Sequence, residues 1–222
     1  MKNYSLGEAQ QVFNGIMLGD GSICKQVRFA RFQIGLSGAN TISYLYEVRR
    51  MLYTMGVYCS EIYPKCVRTT TRGGYTFDLC SLYSKTSEIM LNERYRWYPV
   101  GKKEVPSDFN LTPVSLAHWF MGDGSSVYDT HGGQYIHVKI SSMGFNENSI
   151  AILEHSLSKL GFSTGRNMHK ETKEGSGIVI SILQDSINQF MDTIEPHMLM
   201  PYLYKIKHNG ARLRAEQRCG VV

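Results

Sequence analysis

The sequence predicts an α+β fold in which one helix-strand-strand-helix-strand-strand-helix unit (αββαββα) occurs twice along 222 residues. Three observations predict it. The tripeptide Gly-Asp-Gly occupies 19–21 and again 122–124, each time after an apolar stretch and before a serine. An apolar stripe with helical spacing follows each tripeptide, and two strand-like segments follow each stripe. Landmarks that recur in the same order at a nearly constant offset indicate an internal duplication.

Each tripeptide is predicted to end a helix. The apolar residues before it share one helical face: Val12, Phe13, Ile16 and Met17 in the first half, and Leu116, Ala117, Phe120 and Met121 in the second. Small residues at Gly15, Gly19 and Gly122 would let two helix backbones approach closely. We therefore expect these two motif helices to form a central interface between halves related by a pseudo-twofold axis, which would bring Asp20 and Asp123 together.

The next predicted element of each half is a strand. Residues 27–37 and 134–141 are rich in alternating β-branched and aromatic side chains, as half-buried strands are. Phe29 and Phe32 have opposite parity along the first of these segments. This change of phase predicts a β-bulge near Ala30.

The second helix of each half is predicted from an apolar stripe and a terminating glycine. The stripes are Leu45, Val48, Leu52 and Met55 before Gly56, and Ile150, Leu153, Leu157 and Leu160 before Gly161. Further strands are predicted at 58–68, 74–82, 162–170 and 177–183. The last helices are predicted to start at Ser84 and Asp185, whose short polar side chains suit an N-cap.

A segment rich in proline and charged residues separates the halves and is typical of a linker. The predicted organisation is an N-terminal repeat at 1–98, a linker at 99–111, and a C-terminal repeat at 112–222 that ends in a basic tail.

Composition excludes several classes of protein. Hydrophobic residues make up 42% of the chain, which is too much for a disordered protein. The five cysteines include no CxxC pair, which argues against a disulfide scaffold or a zinc ribbon and favours a reducing compartment. Because no signal core or apolar span is present, we expect an intracellular protein without a membrane partner. The net charge of +5 is compatible with nucleic acid.

Two carboxylates that lie close together are unfavourable unless a cation neutralises them. Oxygen ligands combined with retained water are what Mg²⁺ prefers. A pair of acids that binds such ions is suited to phosphodiester hydrolysis, because the metals activate water and stabilise the leaving oxygen.

The segments FNGIMLGDG (13–21) and LAHWFMGDG (116–124) resemble the two motifs of LAGLIDADG homing endonucleases of the monomeric, two-motif, intron-encoded branch. The resemblance extends to KKEVP (102–106) and PHMLMPYLYKI (196–206), and so covers nearly the whole chain. It implies a monomer of two pseudo-twofold repeats whose antiparallel sheets form a DNA-binding saddle. It also implies a double-strand break in a long asymmetric DNA target, with short 3′ overhangs, that promotes intron mobility.

The resemblance further implies the site residues. Asp20 and Asp123 would be catalytic and would bind Mg²⁺, for which Mn²⁺ or Ca²⁺ would substitute in binding. The backbone carbonyls of Gly19 and Gly122 are additional metal-ligand candidates. A basic catalytic residue near the scissile phosphates is expected in each half: Lys103 in KKEVP and Lys205 in YKI. Lys102 is the alternative to Lys103.

The sequence departs from the family pattern at two motif positions that are usually small. Asn14-Gly15 occupies them in the first helix and Ala117-His118 in the second. A histidine in the predicted interface between the two motif helices would hold these helices apart. We therefore expect His118 and Trp119 to pack into the core of their own half.

Alternation in the strands predicts one apolar face under helices and one polar face toward a DNA groove. Arginine, glutamine, lysine and aspartate suit base edges, whereas lysine alone would suit phosphates. The predicted DNA-binding residues are Arg28, Arg31, Gln33, Ser37, Lys65, Arg68, Arg72, Thr76, Asp78, Tyr135, His137, Lys139, Arg166, His169, Lys170 and Ser181.

Two other functions fit the same fold. One is an RNA maturase that binds a group I intron, which would make intron RNA a partner; the other is a catalytically silent DNA-binding protein. The two aspartates and two lysines favour cleavage, because RNA binding alone would not need them. An organelle-encoded protein (mitochondrion or chloroplast) and a prokaryotic cytoplasmic protein are both compatible with the sequence.

Overall fold

The computed structural model describes residues 3–37, 41–59, 65–72, 75–129, 134–168 and 177–206. The chain divides into two compact units, Met1–Pro106 and Ser107–Val222. Each unit has the predicted αββαββα order and its own antiparallel four-stranded sheet, which confirms the α+β class. Within the described ranges, no helix is both long and apolar enough to cross a membrane.

The first unit contains α1 (Leu6–Leu18), β1 (Ser22–Lys25), β2 (Ala30–Ser37), α2 (Thr41–Thr54), β3 (Lys65–Arg72), β4 (Tyr75–Tyr83) and α3 (Glu88–Trp97). Its strands lie in the order β1-β2-β4-β3. Helix α1 begins with a capping box in which the Ser5 side chain accepts from the Glu8 amide and the Glu8 carboxylate accepts from the Ser5 amide.

The second unit contains α4 (Pro113–Asp123), β5 (Gly124–Asp129), β6 (Gln134–Ser141), α5 (Glu147–Lys159), β7 (Thr164–Met168), β8 (Ile178–Ile182) and α6 (Ile187–Ile194). Short 3₁₀ turns occupy Gln184–Ser186, Glu195–His197 and Met200–Lys205. The strand order β5-β6-β8-β7 repeats that of the first sheet. Thr112 caps α4, and Pro113 fits its first turn because that turn needs no amide donor there.

The apolar faces predicted for the motif helices are buried. Phe13, on α1, packs against Phe32 with ring centroids 5.9 Å apart. In the second unit, Phe120 of α4 meets Phe190 edge-on at 5.5 Å. Burying an aromatic or aliphatic side chain of this size contributes about 1.5–3 kcal/mol. The motif helices are therefore anchored within their own units by their apolar faces.

The phase change near Ala30 has a different cause from the one predicted. Strand β2 begins at Ala30, and the Gln26 amide donates to the Phe29 carbonyl at 2.8 Å in a turn that joins β1 to β2. The β1–β2 register runs without a shift from Ser22↔Gln33 to Lys25↔Ala30. The predicted bulge at Ala30 is wrong because Phe29 belongs to the turn and not to the strand.

The helix ends were predicted better than the helix starts. Gly56 and Gly161 follow α2 and α5 with φ of +77° and +88°, a region that disfavours residues with a Cβ. Ser84 is not a cap; its hydroxyl accepts from the Phe32 amide at 2.9 Å, and Ser87 caps α3 instead. Asp185 lies within a 3₁₀ turn and accepts from the Ser163 hydroxyl at 3.2 Å, so it is not an N-cap either.

Candidate active site and nucleic-acid interface

The first Gly-Asp-Gly forms a tight reversal at the end of α1. The amides of Gly19 and Gly21 both donate to the Ile16 carbonyl, at 3.1 and 2.9 Å. A Cβ on Gly21 would lie 2.8 Å from Ile16 Cγ2 and 2.9 Å from the Ile16 carbonyl oxygen. Only glycine fits there without a shift, and the reversal leaves Asp20 exposed between the helix and β1.

The second Gly-Asp-Gly connects α4 directly to β5. The Gly124 amide donates to the Phe120 carbonyl, and a Cβ on Gly124 would lie 2.1 Å from Phe120 Cδ2 and 2.5 Å from the Phe120 carbonyl oxygen. Asp123 is the last residue of α4 and is half-buried. Both tripeptides therefore place a carboxylate at the junction of a motif helix with the first strand of its sheet.

A lysine contacts the backbone on both sides of each aspartate. Lys103 Nζ donates to the carbonyls of Gly19 and Gly21, at 3.0 and 2.8 Å. Lys205 Nζ lies 3.3 Å from the Gly122 carbonyl and 2.9 Å from the Gly124 carbonyl.

Lys205 also approaches the carbonyls of Phe120 and Met121, at 3.3 and 2.7 Å. Helix C-terminal carbonyls lack partners within the helix and carry partial negative charge, so an ammonium group is favoured there. Lys102 is exposed, whereas Lys103 is half-buried against the motif. The structure thus places Lys103 on the backbone that flanks Asp20, and Lys205 on the backbone that flanks Asp123.

The donors at each tripeptide suit a hard divalent cation. A carboxylate and neighbouring backbone carbonyls are oxygen ligands of the kind that Mg²⁺ and Ca²⁺ take. In the parts of the chain that the structure describes, no group of three or more histidine, cysteine, aspartate or glutamate side chains could hold a metal. An ion at either aspartate would therefore keep several water or substrate oxygens, as Mg²⁺ commonly does.

The unusual residues of the motif helices are buried. His118 and Trp119 are 4% and 0% exposed. Asn14 is 7% exposed and accepts hydrogen bonds from the Gln10 amide at 3.3 Å and from the Arg96 guanidinium at 3.1 Å. His118 and Trp119 are therefore buried, as predicted, and Asn14 is held by two side-chain donors.

The first sheet has the alternation expected of a DNA-binding surface. Phe32 and Ile34 are buried, whereas Gln33 is half-buried on the opposite face. Arg31 shares that face, and its guanidinium lies 5.0 Å from the centre of the Tyr83 ring. Of the other predicted residues, Ser37 is exposed at the end of β2 and Arg28 is exposed in the β1–β2 turn.

For β3 and for residues 75–79 of β4, the structure describes the backbone pairing alone. Residue pairs include Lys65↔Ser81, Arg68↔Leu79 and Arg72↔Tyr75, with a register shift between Cys66 and Arg68. The predicted contacts at Lys65, Arg68, Arg72, Thr76 and Asp78 belong to these segments and stay predictions.

In the second sheet, Lys139 lies opposite Ser181 on β8, and His137 lies opposite Val127 on β5. The intervening Val138 and Ile140 are buried, which places Lys139, Ser181 and His137 on the other face. This face also carries Ser125 and Asn167, which we did not predict. The sequence did not show that these two residues lie on this face, because it does not give the register of β5 and β7. His169 and Lys170 lie outside the described residues.

Tyr135 does not share the face of His137 and Lys139. The β5–β6 register shifts between Val127 and Tyr128, so that Tyr135 lies opposite Tyr128. The Tyr135 hydroxyl donates to the carbonyl of Ile206, and its ring meets Tyr128 at 4.9 Å. Burial, together with the neighbouring Tyr128, raises the pKa of Tyr135 to about 12. Tyr135 is a packing residue, and its assignment to the DNA surface is corrected.

The assignment of Arg166 to the DNA surface is also corrected. Arg166 lies opposite Ile180 on β8, and Ile180 in turn lies opposite Ile140; both isoleucines are buried, whereas Arg166, on the edge strand β7, is exposed. Its guanidinium pairs with Glu154 at 2.6 Å and with Glu147 at 2.9 Å, both on α5. These carboxylates raise the pKa of Arg166. The register places Arg166 on the face opposite to Ser181, where it ties β7 to α5.

Comparison with known proteins identifies one family and a related maturase. Residues 10–190 match the model of the LAGLIDADG DNA endonuclease family. The chain is 26% identical over 203 residues to cytochrome b mRNA maturase bI2 of Debaryomyces hansenii, an alignment that covers 90% of this chain and 73% of that protein.

Solved structures are similar as well. The homing endonuclease I-WcaI bound to its DNA recognition sequence superposes with a TM-score of 0.76 and 19% identity, covering 92% of this chain and 88% of the other. I-DmoI in complex with DNA and Ca has a TM-score of 0.50 and 15% identity, covering 96% and 100% of the two chains. At these identities the structures show a shared fold.

Proposed function

Because the chain belongs to the LAGLIDADG DNA endonuclease family, we propose that it is a site-specific homing endonuclease that makes a double-strand break in a long asymmetric DNA target and promotes intron mobility. One observation carries the proposal. In both units, an aspartate at the end of a motif helix lies between two carbonyls that a single lysine bridges. A repeat that preserved only its fold would not need to preserve an acid, a cation and their common geometry twice.

We propose that Asp20 with the Gly19 carbonyl, and Asp123 with the Gly122 carbonyl, each contribute ligands to a divalent cation. When bound, such a cation lowers the pKa of water and stabilises negative charge on a phosphodiester. The structure of I-DmoI with DNA and Ca supports the use of divalent cations by a protein of this fold. Mg²⁺ is the expected ion, because the protein supplies few hard oxygen ligands and leaves room for water.

The side chains have separate tasks in this mechanism. Asp20 and Asp123 each place a carboxylate at the end of a motif helix, where it would orient the divalent cation. Lys103 and Lys205 place a positive charge at the carbonyls on either side of each aspartate, near where a scissile phosphate would accumulate negative charge. Each unit then incises one strand.

Double-stranded DNA is the proposed partner. The described polar faces present Arg31, Gln33, His137, Lys139 and Ser181, a mixture that suits base edges as well as phosphates. Since the net charge is only +5, affinity would come from many dispersed contacts and would fall steeply with salt.

The alternative is an intron RNA maturase, and the similarity to cytochrome b mRNA maturase bI2 favours including it in the test. The full chain would be incubated with Mg²⁺ and a duplex that spans the joined exons of its host gene. Splicing of the intron RNA would be assayed in parallel. A specific double-strand break supports the endonuclease. Accelerated splicing without any cleavage would replace it with the maturase, and tight duplex binding without either reaction would indicate a silent DNA-binding protein.

A further inference from the structure

We infer that Lys103 and Lys205 act as built-in cations that occupy the motif carbonyls in the ion-free protein, and that each must release the carbonyl before its aspartate for a divalent ion to bind there. The inference rests on the proposed function, because it concerns the ion of that site. It adds that lysine and ion compete for one oxygen.

The same pattern in both units supports it. Lys103 lies in the segment between α3 and α4, whereas Lys205 ends a 3₁₀ turn near the end of the described chain. Each ammonium nonetheless contacts the carbonyl immediately before and immediately after its aspartate, at 2.8–3.3 Å. Both copies of the duplicated unit deliver a cation to equivalent oxygens although the local structures around the two lysines differ, which indicates that the contact belongs to the site.

The competition follows from electrostatics. The carbonyls of Gly19 and Gly122 are the proposed ion ligands. Each already accepts a hydrogen bond from an ammonium, at 3.0 Å from Lys103 and at 3.3 Å from Lys205, which also bonds the Met121 carbonyl at 2.7 Å. An ion bound at these oxygens would also lie close to an ammonium of like charge, in a partly buried position where screening is weak. Ion binding and lysine contact therefore oppose each other, and the coupling is reciprocal.

The coupling would link ion loading to DNA. A scissile phosphate offers the ammonium a better acceptor than a peptide carbonyl, because it carries a full negative charge. When DNA draws the lysine away, the carbonyl becomes available to the ion. The free protein would then bind divalent ions weakly, and the ions would enter fully only with substrate present.

The test measures the affinity of the full chain for Ca²⁺, without DNA, by isothermal titration calorimetry. Lys103→Met keeps the apolar stem and removes the charge, and Lys102→Met is the matched control, because Lys102 is an exposed neighbour. Losing one charge-assisted competitor should tighten Ca²⁺ binding about tenfold or more in Lys103→Met, and leave Lys102→Met within about twofold of wild type. Adding Asp20→Asn should abolish the gain.

For the second unit, Lys205→Met is compared with Lys159→Met, an exposed lysine in the last turn of α5. Equal or weaker Ca²⁺ binding by both Lys103→Met and Lys205→Met would overturn the inference while leaving the endonuclease proposal intact. Absence of saturable Ca²⁺ binding in wild type and in every lysine variant would instead contradict the proposed ion sites, and the inference with them.

A measurement on wild-type protein covers the case in which a variant fails to fold. Nitrogen-15 NMR of lysine ammonium groups should show slowly exchanging signals for Lys103 and Lys205, because their protons are held by carbonyls. Ca²⁺ should shift these signals and speed their exchange with water. Signals that stay unchanged at saturating Ca²⁺ would overturn the inference.

Discussion

Replacing Gly124 by alanine should destabilise the second unit and disturb its aspartate. The new Cβ would lie 2.1 Å from Phe120 Cδ2 and 2.5 Å from the Phe120 carbonyl oxygen, well inside van der Waals contact. The ring is fully buried and the carbonyl belongs to α4, so neither can move freely. Overpacking of this kind costs about 1–3 kcal/mol. For a chain of this length, that corresponds to a melting temperature lower by roughly 2–12 °C.

Gly7→Ala is the matched control, because a Cβ there would meet nothing within 4 Å. Gly7 lies in the first turn of α1, where alanine should raise the stability by about 0.5 kcal/mol. Both variants would be compared with wild type by calorimetry and by DNA cleavage. A Gly124→Ala protein that melts at or above the wild-type temperature and cleaves normally would refute the requirement for glycine beside Asp123.

Three further outcomes are expected. Lys139→Gln should weaken duplex binding and reduce its salt dependence, whereas Arg166→Gln should leave both unchanged in a filter-binding assay; equal effects would return Arg166 to the DNA surface. Arg166→Gln should also cost no more than about 1 kcal/mol in urea unfolding, since its ion pairs are exposed. Because burial raises the pKa of Tyr135 from 10.0 to about 12, the stability gained from its neutral hydroxyl is complete below pH 10 and is lost as the pH rises from 10 to 12. Urea unfolding across this range should show a shallower loss for Tyr135→Phe, and identical slopes would contradict the placement of its hydroxyl.

Much of the fold could be predicted because it depends on periodic burial. The stripes that end at Gly56 and Gly161 produced α2 and α5 with their terminating glycines, and the apolar faces of α1 and α4 are buried as expected. Strands β1 and β5 were not located from the sequence. They begin at or just after the Gly-Asp-Gly turns, and their serines and end residues leave them without an alternating apolar pattern.

Two kinds of feature could not be predicted from the sequence: the register of paired strands, and hydrogen bonds to backbone carbonyls. Tyr135 follows the parity of His137 and Lys139 in the sequence, yet an irregularity in the β5–β6 pairing gives it another neighbour. Arg166 has the composition of a DNA contact, and only the pairing of β7 with β8 shows that it lies on the other face. The duplication singled out Lys103 and Lys205, but their acceptors are carbonyls, which leave no trace in residue identity.

The central claim is that both Gly-Asp-Gly aspartates act in phosphodiester hydrolysis. The most direct measurement is cleavage of a supercoiled plasmid that carries the joined-exon site, in Mg²⁺, by wild type, Asp20→Asn, Asp123→Asn and the double variant. We expect wild type to linearise the plasmid. Each single variant should bind the site with nearly unchanged affinity and yield no linear product, and the double variant should leave the plasmid supercoiled, with neither strand cut. Any of the three variants that folds, binds and still linearises the plasmid would contradict the claim.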